Sequence, residues 1–185
     1  EEQERYIKII KSRIDSLNVM LEELFTYTKL QNESYEIEIS PVNFSKTVFD
    51  TCFSFYDEFS ARNIEPAIDF CSEQLYINAN AEALQRTIQN IIKNAFVHGA
   101  KNVTFSLFEK DGKTQFICSN TVTDKESIDL DRIFTRFYKA DKARTRISSG
   151  LGLAIAHDFT LKMGGEIKAE INGDVFSITI AFKKA

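Results

Sequence analysis

The sequence of 185 residues contains no tryptophan, only two prolines and three cysteines. The cysteines lie far apart and form no CxxC pair, so we expect buried free thiols rather than a disulfide framework or a zinc site. No stretch reaches the roughly 18 consecutive apolar residues of a membrane-spanning helix, and no apolar core of a secretory signal is recognisable. The 23 basic and 27 acidic residues give a net charge of -4, which argues against a nucleic-acid-binding surface.

The composition is rich in apolar side chains, since 43% of the residues are hydrophobic and 16 are phenylalanine. The chain can therefore bury a sizeable core, and its length suits one domain with an appendage. The first residues already follow a helical pattern and no Met precedes them, so we expect a fragment of a longer protein.

Residues 1–31 are predicted to form one long helix. Apolar residues recur in it at alternating spacings of three and four, as at the a and d positions of a coiled coil. These residues are Ile7, Ile10, Ile14, Leu17, Leu21 and Leu24. So narrow a stripe favours packing in a helical bundle, and the alternative is a surface helix on the domain's own core.

The rest of the chain predicts helices alternating with pairs of strands. Helices are expected at 43–62, at 80–98 with Asn80 as N-cap and His98–Gly99 as the stop, and at 150–163. Strands are expected at 67–71, 75–78, 103–108, 114–120, 166–171 and 175–182, the last two joined by a turn at Asn172–Gly173. The polar residues 121–149 predict a functional loop or lid. This order predicts an α/β (α+β) two-layer sandwich, with one mixed sheet covered by helices on one face and a long helix before it.

Asn90 and Asn94 are the first candidate site residues. Their spacing of four places both amides on one helix face, although Asn is unfavourable inside a helix. Asn94 could offer an oxygen to Mg²⁺, which prefers oxygen ligands and shares them with phosphates. His98 lies on the same face and could reach a phosphate or a ribose. The alternatives are a satisfied polar pair at the edge of the core and a histidine that caps the helix end.

The run GLGLAIA at residues 150–156 is the second candidate. Gly150 and Gly152 would let the backbone approach phosphate oxygens, at a helix start that favours anions. The run lacks the third glycine of a dinucleotide-binding fingerprint and the lysine of a P-loop, so we reject both of those sites.

The segment RIFTRFYKADKAR at residues 132–144 is the third candidate. It places basic residues, including Arg136 and Arg144, beside Phe134, Phe137 and Tyr138. In a chain that is acidic overall, a phosphate clamp is a better interpretation than nucleic-acid binding.

Together these three segments resemble sensor histidine kinases over essentially the whole chain. NIIKNAFVHG (90–99) is similar to their N box, RIFTRFYKAD (132–141) to their F box and SSGLGLAIA (148–156) to their G2 box. The resemblance implies the Bergerat-type ATP-binding fold, shared with gyrase, Hsp90 and MutL, and Mg-ATP as the ligand. It makes residues 1–32 the second helix of the dimerisation and phosphoacceptor hairpin, and residues 41–185 the catalytic domain, with an ATP lid at about 121–149.

The resemblance also implies roles for individual residues. Asn94 would be the Mg²⁺ ligand and Arg144 would act on the phosphates, and these two are the expected catalytic residues. Phe134 and Phe137 would anchor the lid. The full set of expected ATP-binding residues is Asn90, Asn94, His98, Asn120, Phe134, Arg136, Phe137, Tyr138, Gly150, Leu151 and Gly152.

The sequence departs from the family pattern at the adenine end of the site. The family's DxGxG motif is absent, and Asn120 stands where its aspartate accepts from the adenine amino group. A neutral amide is a weaker acceptor than a carboxylate, and a turn residue at the strand end is the alternative role for Asn120. Ser148 and Val97 also replace family residues on the phosphate side. These changes bring ATP affinity into question and leave the fold unaffected.

The phosphoacceptor histidine is also missing. Of the two histidines, His98 precedes a glycine, and His157–Asp158 lies in a helix expected to pack on the sheet. We therefore expect the acceptor outside this sequence. The resemblance implies transfer of the ATP γ-phosphoryl group to that histidine and then to an aspartate of a response regulator. It also implies a homodimer formed through the N-terminal helix, a cytoplasmic location for this fragment, and membrane anchoring by regions outside it.

Two other functions remain open from the sequence. The altered adenine end could mark a non-catalytic module that dimerises or regulates a partner with weak or no ATP binding. An ATPase of the gyrase or MutL type would hydrolyse ATP without a histidine substrate. The F-box segment and the presence of Asn90, where such an ATPase would need a catalytic glutamate, disfavour it.

Overall fold

A computed structural model of the chain describes residues 2–32, 34–98, 101–139 and 149–185. The helices are α1 (Glu2–Leu30), α2 (Phe44–Ser54), α3 (Tyr56–Ala61), α4 (Ala81–His98) and α5 (Gly152–Lys162). The strands are β1 (Ser40–Asn43), β2 (Ala67–Phe70), β3 (Tyr76–Ala79), β4 (Lys101–Lys110), β5 (Lys113–Thr121), β6 (Glu166–Asn172) and β7 (Val175–Lys183).

The main sheet has five strands in the order β2-β4-β5-β7-β6. Strand β2 pairs parallel with β4, and the other pairs are antiparallel, so the predicted mixed sheet is confirmed. A two-stranded sheet of β1 and β3 was not predicted. Its strand β1 contains Pro41, opposite Asn78, at a position that tolerates proline because β1 pairs on one side only.

The core lies between this sheet and helices on one of its faces. Every second residue of β5 is buried, from Thr114 to Asn120, as expected for a strand with one covered face. On the neighbouring strand Phe105 contacts the ring of Phe59 from α3, with ring centroids 6.0 Å apart. Phe59 in turn meets Phe96 of α4 at 5.4 Å. The two-layer arrangement of the prediction is therefore confirmed.

In the part of the chain that the structure describes, helix α1 packs on the domain through its C-terminal part. Leu30 is 4% exposed and belongs to the main core, whereas Ile7 is 64% exposed and Leu21 63%. The predicted apolar stripe is thus uncovered along most of the helix. Among the described residues, no helix is both long and apolar enough to cross a membrane.

Three details differ from or extend the prediction. The single helix expected at 43–62 is wrong, because the backbone leaves the helical conformation at Phe55 and its N–H bonds to Cys52 O at 3.2 Å. The last turn is shifted by one residue to Gly173–Asp174, because Asn172 still pairs with Val175 in the sheet. The predicted cap of α4 is confirmed, since Asn80 Oδ1 accepts from the Ala83 N–H at 2.9 Å.

Candidate functional site

Outside the expected lid, the described candidate residues lie on α4, at the end of β5 and at the start of α5. Helix α4 ends at His98, shortly before β4 begins at Lys101. Lys101 pairs with Thr121 at the end of β5, next to Asn120. Helices α4 and α5 pack against each other, and the glycine turn lies just before α5.

Gly152, the first residue of α5, lies directly against Asn90. A Cβ atom at this position would be 3.3 Å from Asn90 Oδ1, closer than most side chains approach such an atom. Asn90 and Asn94 are both half-buried on the facing side of α4. The start of α5 is therefore held against Asn90, one helical turn before Asn94.

Gly150 is the residue on which the lid backbone rests. Its φ of +76° lies in the left-handed region, and a Cβ there would be 2.9 Å from Phe137 Cα and 3.1 Å from Tyr138 O. The Phe137 N–H donates to Gly150 O at 2.9 Å. Only glycine allows both this backbone conformation and this approach.

In residues 121–139 of the expected lid, two of the three aromatic rings, those of Phe134 and Tyr138, pack against the core of the domain. Phe134 is half-buried and stacks on His157, with ring centroids 5.4 Å apart. The Tyr138 hydroxyl accepts from the Asp129 N–H at 2.6 Å and stabilises the lid internally. Phe137, expected to anchor the lid, is 62% exposed and contributes its backbone rather than its ring. Arg136 is exposed beside it.

Asn120 occupies the buried end of β5. It is 2% exposed, and its Nδ2 donates to Thr121 O at 3.2 Å. With the amide nitrogen turned toward this carbonyl, the carboxamide oxygen is the atom that could accept from a ligand amino group.

His98 stands at the end of α4 on the same side as Asn94. Desolvation by the surrounding protein, with the charge of Lys139 as a lesser cause, lowers the pKa of His98 below its ordinary value. The ring therefore favours its neutral form, although its outer edge is exposed. Arg144 and Ser148 lie outside the described residues, as does Gly99.

His157 is engaged within the domain. Its Nδ1 lies 3.0 Å from Asp158 Oδ1, its ring stacks on Phe134, and about a third (34%) of the side chain is exposed. Asp158 also accepts from Gln31 Nε2 at 2.7 Å, just beyond the end of α1. The His157–Asp158 pair thus links the lid to the chain segment after α1.

Two residues of this region were not singled out from the sequence, Ser149 and Glu23. Ser149 Oγ accepts from the Leu151 N–H at 3.0 Å across Gly150. A serine whose hydroxyl accepts from the N–H two residues further on is a recognisable local turn signal. Glu23 of α1 accepts a hydrogen bond from Ser149, and no sequence pattern points to a contact between residues so far apart.

The described residues offer few side-chain ligands for a metal ion. Among the described residues, no group of three or more His, Cys, Asp or Glu side chains could hold a metal ion alone. Mg²⁺ commonly takes one protein oxygen together with phosphate oxygens and water, and Asn94 could supply that oxygen.

Comparison with known proteins identifies the family of the chain. The sequence pattern of the family described as "Histidine kinase-, DNA gyrase B-, and HSP90-like ATPase" matches residues 79–184. The sensor histidine kinase YcbM of Bacillus subtilis is 31% identical over 180 residues, covering 92% of this chain and 56% of its own length. The chain thus spans about half of that relative.

Solved histidine kinase structures share the fold. The crystal structure of full-length ShkA in complex with AMPPNP superposes with a TM-score of 0.84 at 22% identity, covering 100% of this chain and 39% of that one. The complex of histidine kinase ThkA with the response regulator protein TrrA gives a TM-score of 0.74 at 18% identity, covering 100% of this chain and 52% of the other.

Proposed function

Since the chain belongs to the family of histidine kinase-, DNA gyrase B- and HSP90-like ATPases, and its relatives are sensor histidine kinases, we propose the following reaction. Residues 41–185 bind Mg-ATP, and the γ-phosphoryl group passes to a histidine outside residues 1–185. In this division, residues 1–32 are the second helix of the dimerisation hairpin and residues 121–149 form the ATP lid.

The approach of Gly152 to Asn90 is the observation that carries this proposal. It holds the start of α5 against Asn90, one helical turn before Asn94, so closely that a Cβ added at Gly152 would lie 3.3 Å from Asn90 Oδ1. Free N–H groups and the positive end of the helix dipole favour phosphate oxygens there. Asn94 would hold Mg²⁺, which neutralises phosphate charge when it is bound.

Asn120 would bind the adenine at the other end of the site. Its carboxamide oxygen would accept from the adenine amino group, while the Thr121 carbonyl holds the amide nitrogen. Gly150, Leu151 and the lid backbone would enclose the phosphates, and Arg136 and Arg144 would add positive charge. Positioning and charge neutralisation account for most of the catalysis in phosphoryl transfer of this kind.

The acceptor histidine would come from a segment outside residues 1–185. His157 does not suit this role, because its ring is stacked on Phe134 and its Nδ1 faces Asp158. His98 belongs to the nucleotide side of the site, close to Lys139.

The proposed partners are inferred from the exposed apolar residues of α1 and from the relatives of the chain. The exposed apolar stripe of α1, from Ile7 to Leu24, would form a homodimer in the intact protein. A response regulator would receive the phosphoryl group on an aspartate, and the ThkA–TrrA complex supports a partner of this class. Any membrane anchor and sensing region would lie outside residues 1–185.

A thermal shift experiment tests nucleotide binding. Mg-ATP at a hundredfold excess over its dissociation constant should stabilise the 185-residue chain by about 2.7 kcal/mol. Asn94→Ala should remove the shift, whereas Asn18→Ala, an exposed helical asparagine on α1, should retain it. Absence of any shift at millimolar Mg-ATP would favour the non-catalytic module instead.

Phosphoryl transfer is tested with radiolabelled ATP. We expect no label on the 185-residue chain alone, and acid-labile label on a longer protein that includes a preceding helix with a His-acid pair. Label on His157 would contradict the assignment, and rapid hydrolysis by the chain alone would support the gyrase-like ATPase.

A further inference from the structure

Glu23 connects α1 to both halves of the phosphate end of the site. Its side chain is 17% exposed, and its Oε1 lies 3.5 Å from the Nζ of Lys93, the residue before Asn94. Its Oε2 accepts a hydrogen bond from the hydroxyl of Ser149, the residue before Gly150. One carboxylate of α1 therefore contacts the two segments that form the site. Glu23 itself lies outside residues 79–184, which match the family pattern.

The contact with Ser149 bears on the shape of the glycine turn. A hydroxyl has one proton to donate and lone pairs to accept with. Because Ser149 donates its proton to Glu23, a lone pair of the same oxygen can accept from the Leu151 N–H, at 3.0 Å. Glu23 thereby fixes the hydroxyl in the orientation that closes the turn across Gly150.

Glu23 also marks the place where α1 reaches the domain. Towards the start of α1, an open groove of about 450 Å³ runs along the helix, lined by side chains such as Ser12, Ser16 and Met20. Beyond Glu23, Leu30 is buried in the core.

We propose that Glu23 is a positioning residue for the phosphate-binding turn, so that α1 supplies a part of the nucleotide site. This inference rests on the proposed ATP site. It implies that docking of α1 raises nucleotide affinity, because a turn that is already ordered loses less entropy on binding. By linkage, bound nucleotide must strengthen the docking of α1 by the same factor.

The first test needs no nucleotide. Hydrogen exchange of the Leu151 amide should become at least several-fold faster in Glu23→Ala and in Ser149→Ala. Glu22→Ala is the matched control, since Glu22 is an exposed neighbour on α1, and it should leave this exchange unchanged. Equal Leu151 exchange in Glu23→Ala and the unmodified chain would overturn the inference.

The second test measures binding of Mg-AMPPNP by calorimetry. Glu23→Ala should weaken binding about tenfold, within the usual range of coupling between sites. Glu23→Gln should weaken binding less than Glu23→Ala does, because its amide oxygen can still accept from the Ser149 hydroxyl. The remaining loss would come from the missing attraction between the carboxylate and Lys93. Glu22→Ala should bind like the unmodified chain.

The double variant separates positioning from a general loss of structure. If Glu23 acts mainly through Ser149, Glu23→Ala in a Ser149→Ala background should weaken binding no more than Glu23→Gln does in the unmodified chain, since only the attraction of Lys93 is then left to lose. Independent, multiplying losses would overturn the inference. If the unmodified chain bound no Mg-AMPPNP but the Leu151 exchange changed as expected, the proposed function would fail while the positioning of the turn by Glu23 would stand.

Discussion

Replacing Gly150 by alanine perturbs the contact between the glycine turn and the lid. Gly150 combines a φ of +76° with backbone atoms of Phe137 and Tyr138 in the space that a Cβ would take. Gly112 has a closely similar φ of +73° but nothing within 4 Å of its Cβ position. Comparing Gly150→Ala with Gly112→Ala therefore isolates the contact with the lid from the cost of the backbone conformation.

The expected losses in the free energy of unfolding follow from what surrounds each added methyl group. A left-handed conformation costs a residue with a Cβ about 1–2 kcal/mol, and both variants bear that cost. At Gly150 the added methyl would also lie 2.9 Å from Phe137 Cα, and overpacking of this kind costs a further 1–3 kcal/mol or so. We expect Gly150→Ala to lower the free energy of unfolding by about 2–5 kcal/mol and Gly112→Ala by about 1–2 kcal/mol.

Urea unfolding without nucleotide measures both losses, provided that the slope with denaturant is unchanged. Hydrogen exchange of the Phe137 amide, which donates to Gly150 O, reports separation of the lid and should accelerate only in Gly150→Ala. Equal losses of stability in the two variants, together with unchanged exchange at Phe137, would refute the packing of the lid on the turn.

Three further predictions concern other parts of the domain. Since desolvation and Lys139 lower the pKa of His98, its NMR titration midpoint should lie below the ordinary value of 6.5. The free energy of unfolding should therefore decrease as the pH falls from 6.5 towards that lowered midpoint, because the unfolded chain binds the proton more readily. Asn80→Ala should cost about 1 kcal/mol in urea unfolding, since it removes the cap of α4. Burial raises the pKa of Cys52 to about 12, so iodoacetamide at pH 8 should modify the half-buried Cys71 first, as mass spectrometry would show.

Each of these predictions has its own contradicting result. A His98 midpoint at or above its ordinary value would contradict the desolvation of that ring, and His98→Gln identifies its resonance. No loss of stability in Asn80→Ala would mean that the cap contributes nothing. Labelling of Cys52 as fast as Cys71 in the folded protein would show that the Cys52 thiol, on the inner face of α2, is not buried in the core.

The elements with a strong local pattern could be predicted from the sequence. Alternating burial in β5 and the apolar face of α4 follow from the periods of strand and helix, and Asn80 is a local capping signal. The resemblance to a known family then connected Asn94 with Gly150 and Gly152, which no local pattern could do.

Features that depend on tertiary contacts could not be predicted. The break at Phe55 has no proline or glycine to signal it. Strand β1 exists because it pairs with β3, and Pro41 within it reads locally as a break. The contact of Glu23 with Ser149 joins residues that are 126 positions apart.

The Mg-ATP site is tested by calorimetric titration of Mg-AMPPNP into the 185-residue chain. We predict saturable binding with one site per chain, weakened when EDTA removes the metal and abolished by Asn94→Ala but not by Asn18→Ala. An unmodified chain that gives no binding heat at millimolar ligand, or an Asn94→Ala variant that binds as tightly as the unmodified chain, would contradict the assignment of a Mg-ATP site to α4 and the glycine turn.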